Sequence, residues 1–312
     1  MELVRSLHNI SNAGRGCVLT VGNYDGVHLG HRQMIGVLKS RAAELRCPAT
    51  VLVFEPSSKE FIDPDAAPPR LTRWREKFLA LQAQGVERLV TLRFDECMRA
   101  MTPQCFVDEL IVAALGTRHM VVGDDFRYGS NAGGTIESLR AAGQASGFGV
   151  EQIAPFILDS VRVSSTAVRE RLERGDCAGA ARLLGRRYRM IGRVVPGEKL
   201  GRTFGFPTAN LRLMRRKPPL WGVFAARVHG IESRALGGVA SLGTRPTVNG
   251  TEPLLEAHIF DFAGDLYGVP IEVEFIAKLR DEVKFGSVDA MIAQMKVDAA
   301  QARDSLLRVD SG

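Results

Sequence analysis

The chain has 312 residues, with 41 Lys and Arg against 35 Asp and Glu, a net charge of +6, 45% hydrophobic and 24% charged residues. That length favours two domains of about 100 to 200 residues each, and the composition excludes a disordered or collagen-like chain. The modest positive charge suits a phosphorylated small molecule as well as a nucleic acid and does not choose between them.

The longest apolar stretches, such as Phe106 to Leu115, are interrupted or too short to cross a bilayer. The opening MELVRSLHNI lacks the apolar core of a signal peptide, so a cytoplasmic protein with no membrane partner is expected. Cys17, Cys47, Cys97, Cys105 and Cys177 are scattered, odd in number and form no C-x-x-C pair. They read as reduced packing residues rather than as a zinc ribbon or a disulfide framework.

In chain order, CVLTVG (17 to 22) reads as a buried strand, and His31, Met34, Ile35, Leu38, Ala42 and Leu45 follow at helical spacing. ATVLVF (49 to 54), VERLVTLRF (86 to 94), RHMVVG (118 to 123) and VEQIAP (150 to 155) are further strands with helical stretches between them. Thr102 and Pro103 supply an N-cap and a first-turn proline for a helix through Phe106 and Leu110. Alternating β and α elements imply an α/β domain with a parallel, Rossmann-like sheet, whose ligands bind beyond the carboxyl ends of the strands. After about Gly185 the rhythm changes: RMIGRVV, GVFAARVHGI, ALGGVASLG, LLEAHIFDF and IEVEFIAKL succeed one another with turns and no helix between them. That pattern predicts an antiparallel β-barrel or sandwich. A final helix starts at Ser287, with Val288, Met291, Ile292 and Met295 as a stripe facing the barrel. The boundary falls near 184 to 187, which sets domains of 1–184 and 185–312.

The sharpest local signal is VGNYDGVHLGH, Val21 to His31, where the first strand hands over to the first helix. Its glycines at 22, 26 and 30 are not spaced as G-x-G-x-x-G, and the chain has no G-x-x-x-x-G-K-[ST], so any phosphate is held by another device. His28 and His31, three apart at a helix N-terminus, can face one anion alongside backbone N–H groups and the positive end of the helix dipole. Two other readings stand beside this one: glycines that only shape a turn, or a zinc site completed by Asp25, although two ligands in one turn without a second cluster do not make a typical zinc site. Further along, Ser164, Ser165 and Thr166 stand at a helix start between Arg162 and Arg169, where they either cap the helix or also hold an anion.

The segment G-N-Y-D-G-V-H-L-G-H resembles the signature of the nucleotidylyltransferase superfamily, in the form used by bacterial bifunctional riboflavin kinase/FAD synthetases. FEP (54 to 56), RLTRWREK (70 to 77) and VGDDFRYG (122 to 129) are similar to segments of that family, and VRVSSTAVR (161 to 169) resembles its second phosphate-binding signature. The resemblance assigns Gly22, Asn23, Asp25, Gly30, Asp125, Arg127, Arg162, Ser165, Thr166 and Arg169 to ATP and its phosphates. It makes His28 and His31 the catalytic pair of adenylyl transfer.

The β-rich half carries GRTFGFPTAN, Gly201 to Asn210. Glycines around a Phe-Pro turn ordinarily mean a hairpin loop. Thr208 and Asn210, however, are hard oxygen donors two apart, which in an extended segment share a face and can reach one Mg²⁺. This segment resembles the signature of the flavokinase barrel, as do GVFAARV (222 to 228), GGVASLGTRPTV (237 to 248), LLEAHIFDFAGDLYG (254 to 268) and RDEVKF (280 to 285). By that resemblance Gly201 and Arg202 bind ATP, Thr208 and Asn210 hold Mg²⁺, and Glu256 is the general base rather than a solvent-facing strand residue; His258 is left structural. The chain departs from the commonest pattern at Tyr24 for Phe, Arg32 for Gln and Phe224 for Tyr, each swap keeping the aromatic or polar character.

The resemblance spans nearly all of residues 15 to 308. It implies an enzyme that converts riboflavin to FMN in its C-terminal half and FMN to FAD in its N-terminal half, each step consuming ATP with Mg²⁺. A transferase of AMP or CMP to another acceptor would not need the second motif set. A nucleic-acid-binding module would rest on Arg186-Arg187-Tyr188-Arg189 and Arg215-Arg216-Lys217, short runs that read as solvated surface.

Overall fold

In a computed structural model of the chain, residues 1–10, 16–197, 204–247 and 250–310 are described. Gly201 and Arg202 lie outside the described residues. Two compact units form: Met1–Pro68 with Trp74–Val163, and Pro69–Arg73 with Ser164–Gly312.

The first unit is built on a six-stranded parallel sheet in the order β1-β4-β3-β2-β5-β6. Its strands are β1 (Glu2–Val4), β2 (Cys17–Val21), β3 (Ala49–Phe54), β4 (Arg88–Leu92), β5 (Thr117–Gly123) and β6 (Gly149–Ile153). Every residue of β2 is buried, as a central strand covered on both faces requires. Successive residues point to opposite sides. Leu19 and Leu52 enter the core with Phe106, Leu110 and Ile111, while Val18, Val51 and Val53 enter the core with Ile35 and Leu38. The helices are α1 (Leu29–Leu45), α2 (Ser58–Ile62), α3 (Trp74–Ala83), α4 (Glu96–Ala100), α5 (Pro103–Cys105) and α6 (Ile136–Ser146). A short hairpin of β7 (Ile157–Leu158) and β8 (Val161–Arg162) follows.

Two features of this unit were not expected. Glu2–Val4 adds an edge strand parallel to β4, too short to show a period in the sequence. Beyond Thr102, whose hydroxyl caps Cys105 N–H at 3.1 Å, α5 widens into a π-type turn over Phe106–Ala114, and Leu115 N–H bonds back five residues to Leu110.

The second unit contains a closed antiparallel barrel in the order β10-β13-β12-β11-β14-β9. Its strands are β9 (Arg189–Val195), β10 (Thr208–Arg212), β11 (Gly222–His229), β12 (Leu236–Thr247), β13 (Gly250–Ile259) and β14 (Pro270–Arg280). Closure leaves no strand edge unpaired, which suits a sheet without covering helices on every face. The same unit holds α7 (Ser165–Glu173), α8 (Cys177–Leu184) and α9 (Val288–Asp310).

The compact units divide at Val163, whereas the change of rhythm in the sequence lies at 184 to 187. The two helices between continue a βα pattern by period, yet Val168, Leu172, Ala180, Leu183 and Leu184 are buried within the barrel's unit. Residues 69–73 join them: Arg215 donates to the Arg70 and Leu71 carbonyls at 2.7 and 3.2 Å, and Tyr188 OH to Leu71 at 2.9 Å.

Three sequence expectations are corrected here. Arg215 and Tyr188 are buried and bonded to backbone, and Arg189 pairs with Glu272 at 2.6 Å and with Glu274, so both basic runs contain structural residues rather than solvated ones only. Of the predicted α9 stripe, Val288 is 52% exposed while Met291, Ile292 and Met295 are half-buried, and the helix residues in the hydrophobic cluster lie further on, at Ala299, Ala302, Leu306 and Val309. All five cysteines are free, but only Cys17 and Cys177 are buried; Cys97 is exposed and does no packing.

Candidate active sites

In the parallel sheet the strand order reverses its direction of travel at β2, between β3 and β5, the crevice where such sheets bind ligands. The loop that leaves β2 there is held in an unusual conformation: Tyr24, Gly26 and Val27 all take left-handed backbone angles, with φ of 48°, 84° and 43°. For a β-branched residue this is an outlier, maintained only where the surroundings over-determine it. Here both side chains are anchored, since Tyr24 and Val27 are buried and the Tyr24 hydroxyl lies 2.7 Å from Thr20 Oγ1 and 3.0 Å from the Met34 sulfur.

The turn delivers His28 as the N-cap of α1, its Nδ1 accepting the His31 backbone N–H at 3.3 Å. A neutral His28 therefore carries its proton on Nε2 and presents that N–H as a donor. The His28 and His31 rings stack at 3.7 Å and 19°, and Tyr24 lies 4.8 Å from His31. Gly30 is tight against this pair: a Cβ there would stand 3.3 Å from the His28 ring and 3.4 Å from the Val163 carbonyl. Two imidazoles thus sit beside the N–H groups and positive dipole end of a 17-residue helix, a setting whose chemistry favours an anion. Asp25 is buried beneath the same turn, and Asn23 is exposed.

Other segments of this unit come together as well. Arg162 bonds Asp124 at 2.7 Å and lies 3.5 Å from Asp125, whose side chain is 82% exposed; Arg127 is also exposed. Glu55 of FEP meets Lys77 of RLTRWREK in a largely buried ion pair of 3.0 Å. A recess of about 460 Å³ opens where β3 and β4 end, walled by Arg5, Trp74 and Arg93, with the Arg5 guanidinium 5.1 Å from the Trp74 ring centroid. An indole beside a guanidinium, with a second arginine in the wall, suits an anionic aromatic molecule.

In the second unit Ser164 is the cap of α7, its hydroxyl accepting Ala167 N–H at 3.1 Å. That leaves Ser165 and Thr166 in the first turn, half-buried and exposed respectively. Arg169 donates through Nε to the Pro69 carbonyl at 2.6 Å, which orients its guanidinium.

The barrel assembles its site by register. Thr208 and Asn210 share a face of β10 and stand directly opposite His258 and Glu256 of β13. Glu256 in turn stands opposite Ser241 of β12. Asn210 is buried and lies where a Cβ on Gly197 would meet its Nδ2 at 2.2 Å, so that glycine provides its seat. The Thr208 hydroxyl and the Asn210 amide oxygen fit Mg²⁺, which takes few protein oxygens and completes its shell with water and phosphate. His258 Nδ1 lies 2.9 Å from the Pro207 carbonyl and its ring 5.1 Å from Phe206, where it braces the Phe-Pro turn. Among the described residues no three His, Cys, Asp or Glu side chains gather as a metal cluster.

Two family models match the chain, FAD synthetase over residues 10–167 and riboflavin kinase over 184–306. The chain is 43% identical to a Haemophilus influenzae protein over 97% of its own length and 98% of the relative's. It is 45% identical to a Pseudomonas fluorescens protein over 97% of both. Both relatives are named bifunctional riboflavin kinase/FMN adenylyltransferase. The chain belongs to that family.

A solved Streptococcus pneumoniae structure, named a macrolide-efflux protein, shares the fold of this chain with a TM-score of 0.81, at 31% identity and over 95% of this chain and 96% of that one. Among the described residues no helix is long and apolar enough to cross a membrane. In the family's terms, one turn gathers Gly22, Asp25, His28, Gly30 and His31, and one barrel face gathers Thr208, Asn210 and Glu256. Asp124, Ser241 and the Arg5 recess escaped the sequence reading. Asp124 is one residue from the acid that was singled out, but nothing local marks a serine in β12 or an arginine after β1.

Proposed function

We propose that the two activities divide between a domain of residues 1–184, which adenylates FMN, and a domain of residues 185–312, which phosphorylates riboflavin. The product of the second is the substrate of the first, so the chain makes FMN and then FAD, with ATP consumed twice and pyrophosphate released in the last step.

In the kinase reaction Glu256 accepts the proton of the ribityl 5′-hydroxyl as that oxygen attacks the γ-phosphorus of ATP in line, and ADP leaves. Thr208 and Asn210 hold Mg²⁺, which supplies charge neutralisation at the phosphate oxygens. The observation that supports these roles is the barrel register, which sets Asn210 directly across from Glu256. Gly201 and Arg202 are assigned to ATP by their place in the same signature.

Adenylyl transfer needs no base, because the FMN phosphate is already an anionic nucleophile. The enzyme aligns it with the α-phosphorus and stabilises charge as pyrophosphate leaves. The Nε2–H of His28, the His31 ring and the N-terminal amides of α1 do this work, with Gly22, Asn23, Asp25, Gly30, Asp125, Arg127 and Arg162 shaping the ATP site. Ser165, Thr166 and Arg169 are assigned to the departing pyrophosphate. Free thiols and the use of ATP fit a cytoplasmic enzyme of small molecules, with no nucleic-acid or membrane partner.

The test is to incubate the purified protein with riboflavin, ATP and Mg²⁺ and to resolve the flavins by chromatography. FMN should appear first and FAD after it; absence of both refutes the proposal.

A further inference from the structure

We propose that Glu282 is a positioning residue of the kinase site: it fixes the hydroxyl of Ser241, so that Ser241 and Glu256 together offer hydrogen-bond acceptors to two neighbouring hydroxyls of a polyol substrate. The inference rests on Glu256 being the kinase base.

Three strands set up the pair. Asn210, Glu256 and Ser241 form one cross-strand row over β10, β13 and β12. Directly opposed residues share a face, with Cβ atoms about 4.5 to 5.5 Å apart. A serine hydroxyl has a single proton and two lone pairs. In Ser241 that proton is committed, since Oγ donates to Glu282 Oε1 at 3.0 Å. What Ser241 presents to the rest of the face is acceptor oxygen. Without Glu282 that proton is released to rotate, and the hydroxyl loses its fixed acceptor orientation.

The fold delivers Glu282 to this place by two devices. β14 ends at Arg280, whose guanidinium grips the buried Asp298 of α9 through bonds of 2.9 and 2.7 Å and also donates to the Asp281 carbonyl at 2.9 Å. The chain carrying Glu282 therefore leaves the strand in a fixed direction. Gly243, two residues from Ser241 and on the same face of β12, leaves the room: a Cβ there would lie 2.1 Å from a Glu282 carboxylate oxygen. Gly243 has no left-handed φ, so it is space and not backbone freedom that calls for glycine.

Two acceptors side by side complement a ligand with adjacent hydroxyl donors. On the ribityl chain the 5′-hydroxyl goes to Glu256 and the 4′-hydroxyl to Ser241.

Steady-state kinetics on the full chain test this. Glu282→Ala should raise the riboflavin KM about tenfold, the size of one uncharged hydrogen bond, with the ATP KM unchanged. Glu282→Gln keeps an acceptor oxygen and should stay near the parent, whereas Gly243→Ala, which displaces the carboxylate, should resemble Glu282→Ala. Ser241→Ala should match Glu282→Ala, the pair combined should be no worse than either, and 4′-deoxyriboflavin should be handled equally by the parent and Ser241→Ala. A rise in ATP KM, additive losses, or equal damage from Gln and Ala at 282 overturns the proposal. Should Glu282→Ala disrupt the barrel, Ser241→Ala with the deoxy substrate decides alone. Full kinase activity in Glu256→Gln would instead refute the reading of the base on which this inference stands.

Discussion

The two units gather their proposed catalytic side chains in different ways. In the parallel sheet a single turn of the chain, left-handed at Tyr24, Gly26 and Val27, delivers both histidines within four residues of one another. In the barrel, Asn210, Glu256 and Ser241 come from three strands and meet only because the register of two antiparallel ladders aligns them. The first arrangement concentrates its cost in local backbone strain, offset by burying Tyr24 and Val27. The second needs no strained residue but depends on every residue of the ladder, because a slip of one position sends a side chain to the opposite face. A contiguous motif and a register motif thus fail in different ways, and substitutions can tell them apart.

The largest effect should come from exchanging the chemistry of one unit at a time. Glu256→Gln should lower riboflavin phosphorylation by about 10² to 10⁴ while leaving adenylation of supplied FMN intact. His28→Ala with His31→Ala should lower adenylation by at least about 10² and leave FMN accumulating. Loss of both reactions in either folded variant, read by the same chromatographic assay, would break the comparison.

The packing boundary offers a smaller and sharper contrast. A fragment that begins at Arg186 contains the barrel but lacks Val168, Leu172, Leu183 and Leu184, which are buried in its unit. Burying each such side chain contributes about 1.5 to 3 kcal/mol. The fragment should still phosphorylate riboflavin but melt at least about 10 °C below one that begins at Ser164. Equal melting temperatures in calorimetry would place the boundary at 184 in packing as well as in rhythm.

Acidification should act on the parallel-sheet unit through His119 of β5. Burial pushes the ring below its ordinary value, against the pull of Glu151 at 3.5 Å and together with the repulsion of Arg41. The unfolded chain takes up this proton first, so the stability involved is complete above the ordinary value of 6.5 and is lost as pH falls through the lower folded value. His119→Gln should flatten the decline of the urea midpoint between about pH 7 and 5; an unchanged slope would show that His119 is not its source.

The smallest signal is chemical. Burial pushes the thiols of Cys17 and Cys177 up to about 11 and about 12, while Cys97 is exposed. A thiol reagent at about pH 8 should modify Cys97 first and reach Cys17, in one unit, and Cys177, in the other, only on unfolding. The denaturant concentration at which each becomes reactive reports the two cores separately by peptide mass mapping.

Much of this was present in the order of residues. Periodicity marks β2, α1 and β3 because a strand buried on both faces is apolar throughout and a covering helix repeats every three or four residues. G-N-Y-D-G-V-H-L-G-H is legible because its chemistry lies within ten consecutive positions, and the FEP and TAN segments stand out for the same reason. Tertiary structure alone decided the rest. Glu2–Val4 is a strand only because β4 offers it a parallel edge, and α7 and α8 belong to the barrel's unit because it buries their apolar faces. Arg215 reads as one more basic residue until the carbonyls of Arg70 and Leu71 surround it. The pairing of Ser241 with Glu282 and the row that joins them to Glu256 arise from ladder register and one empty Cβ position, long-range geometry that no local pattern encodes.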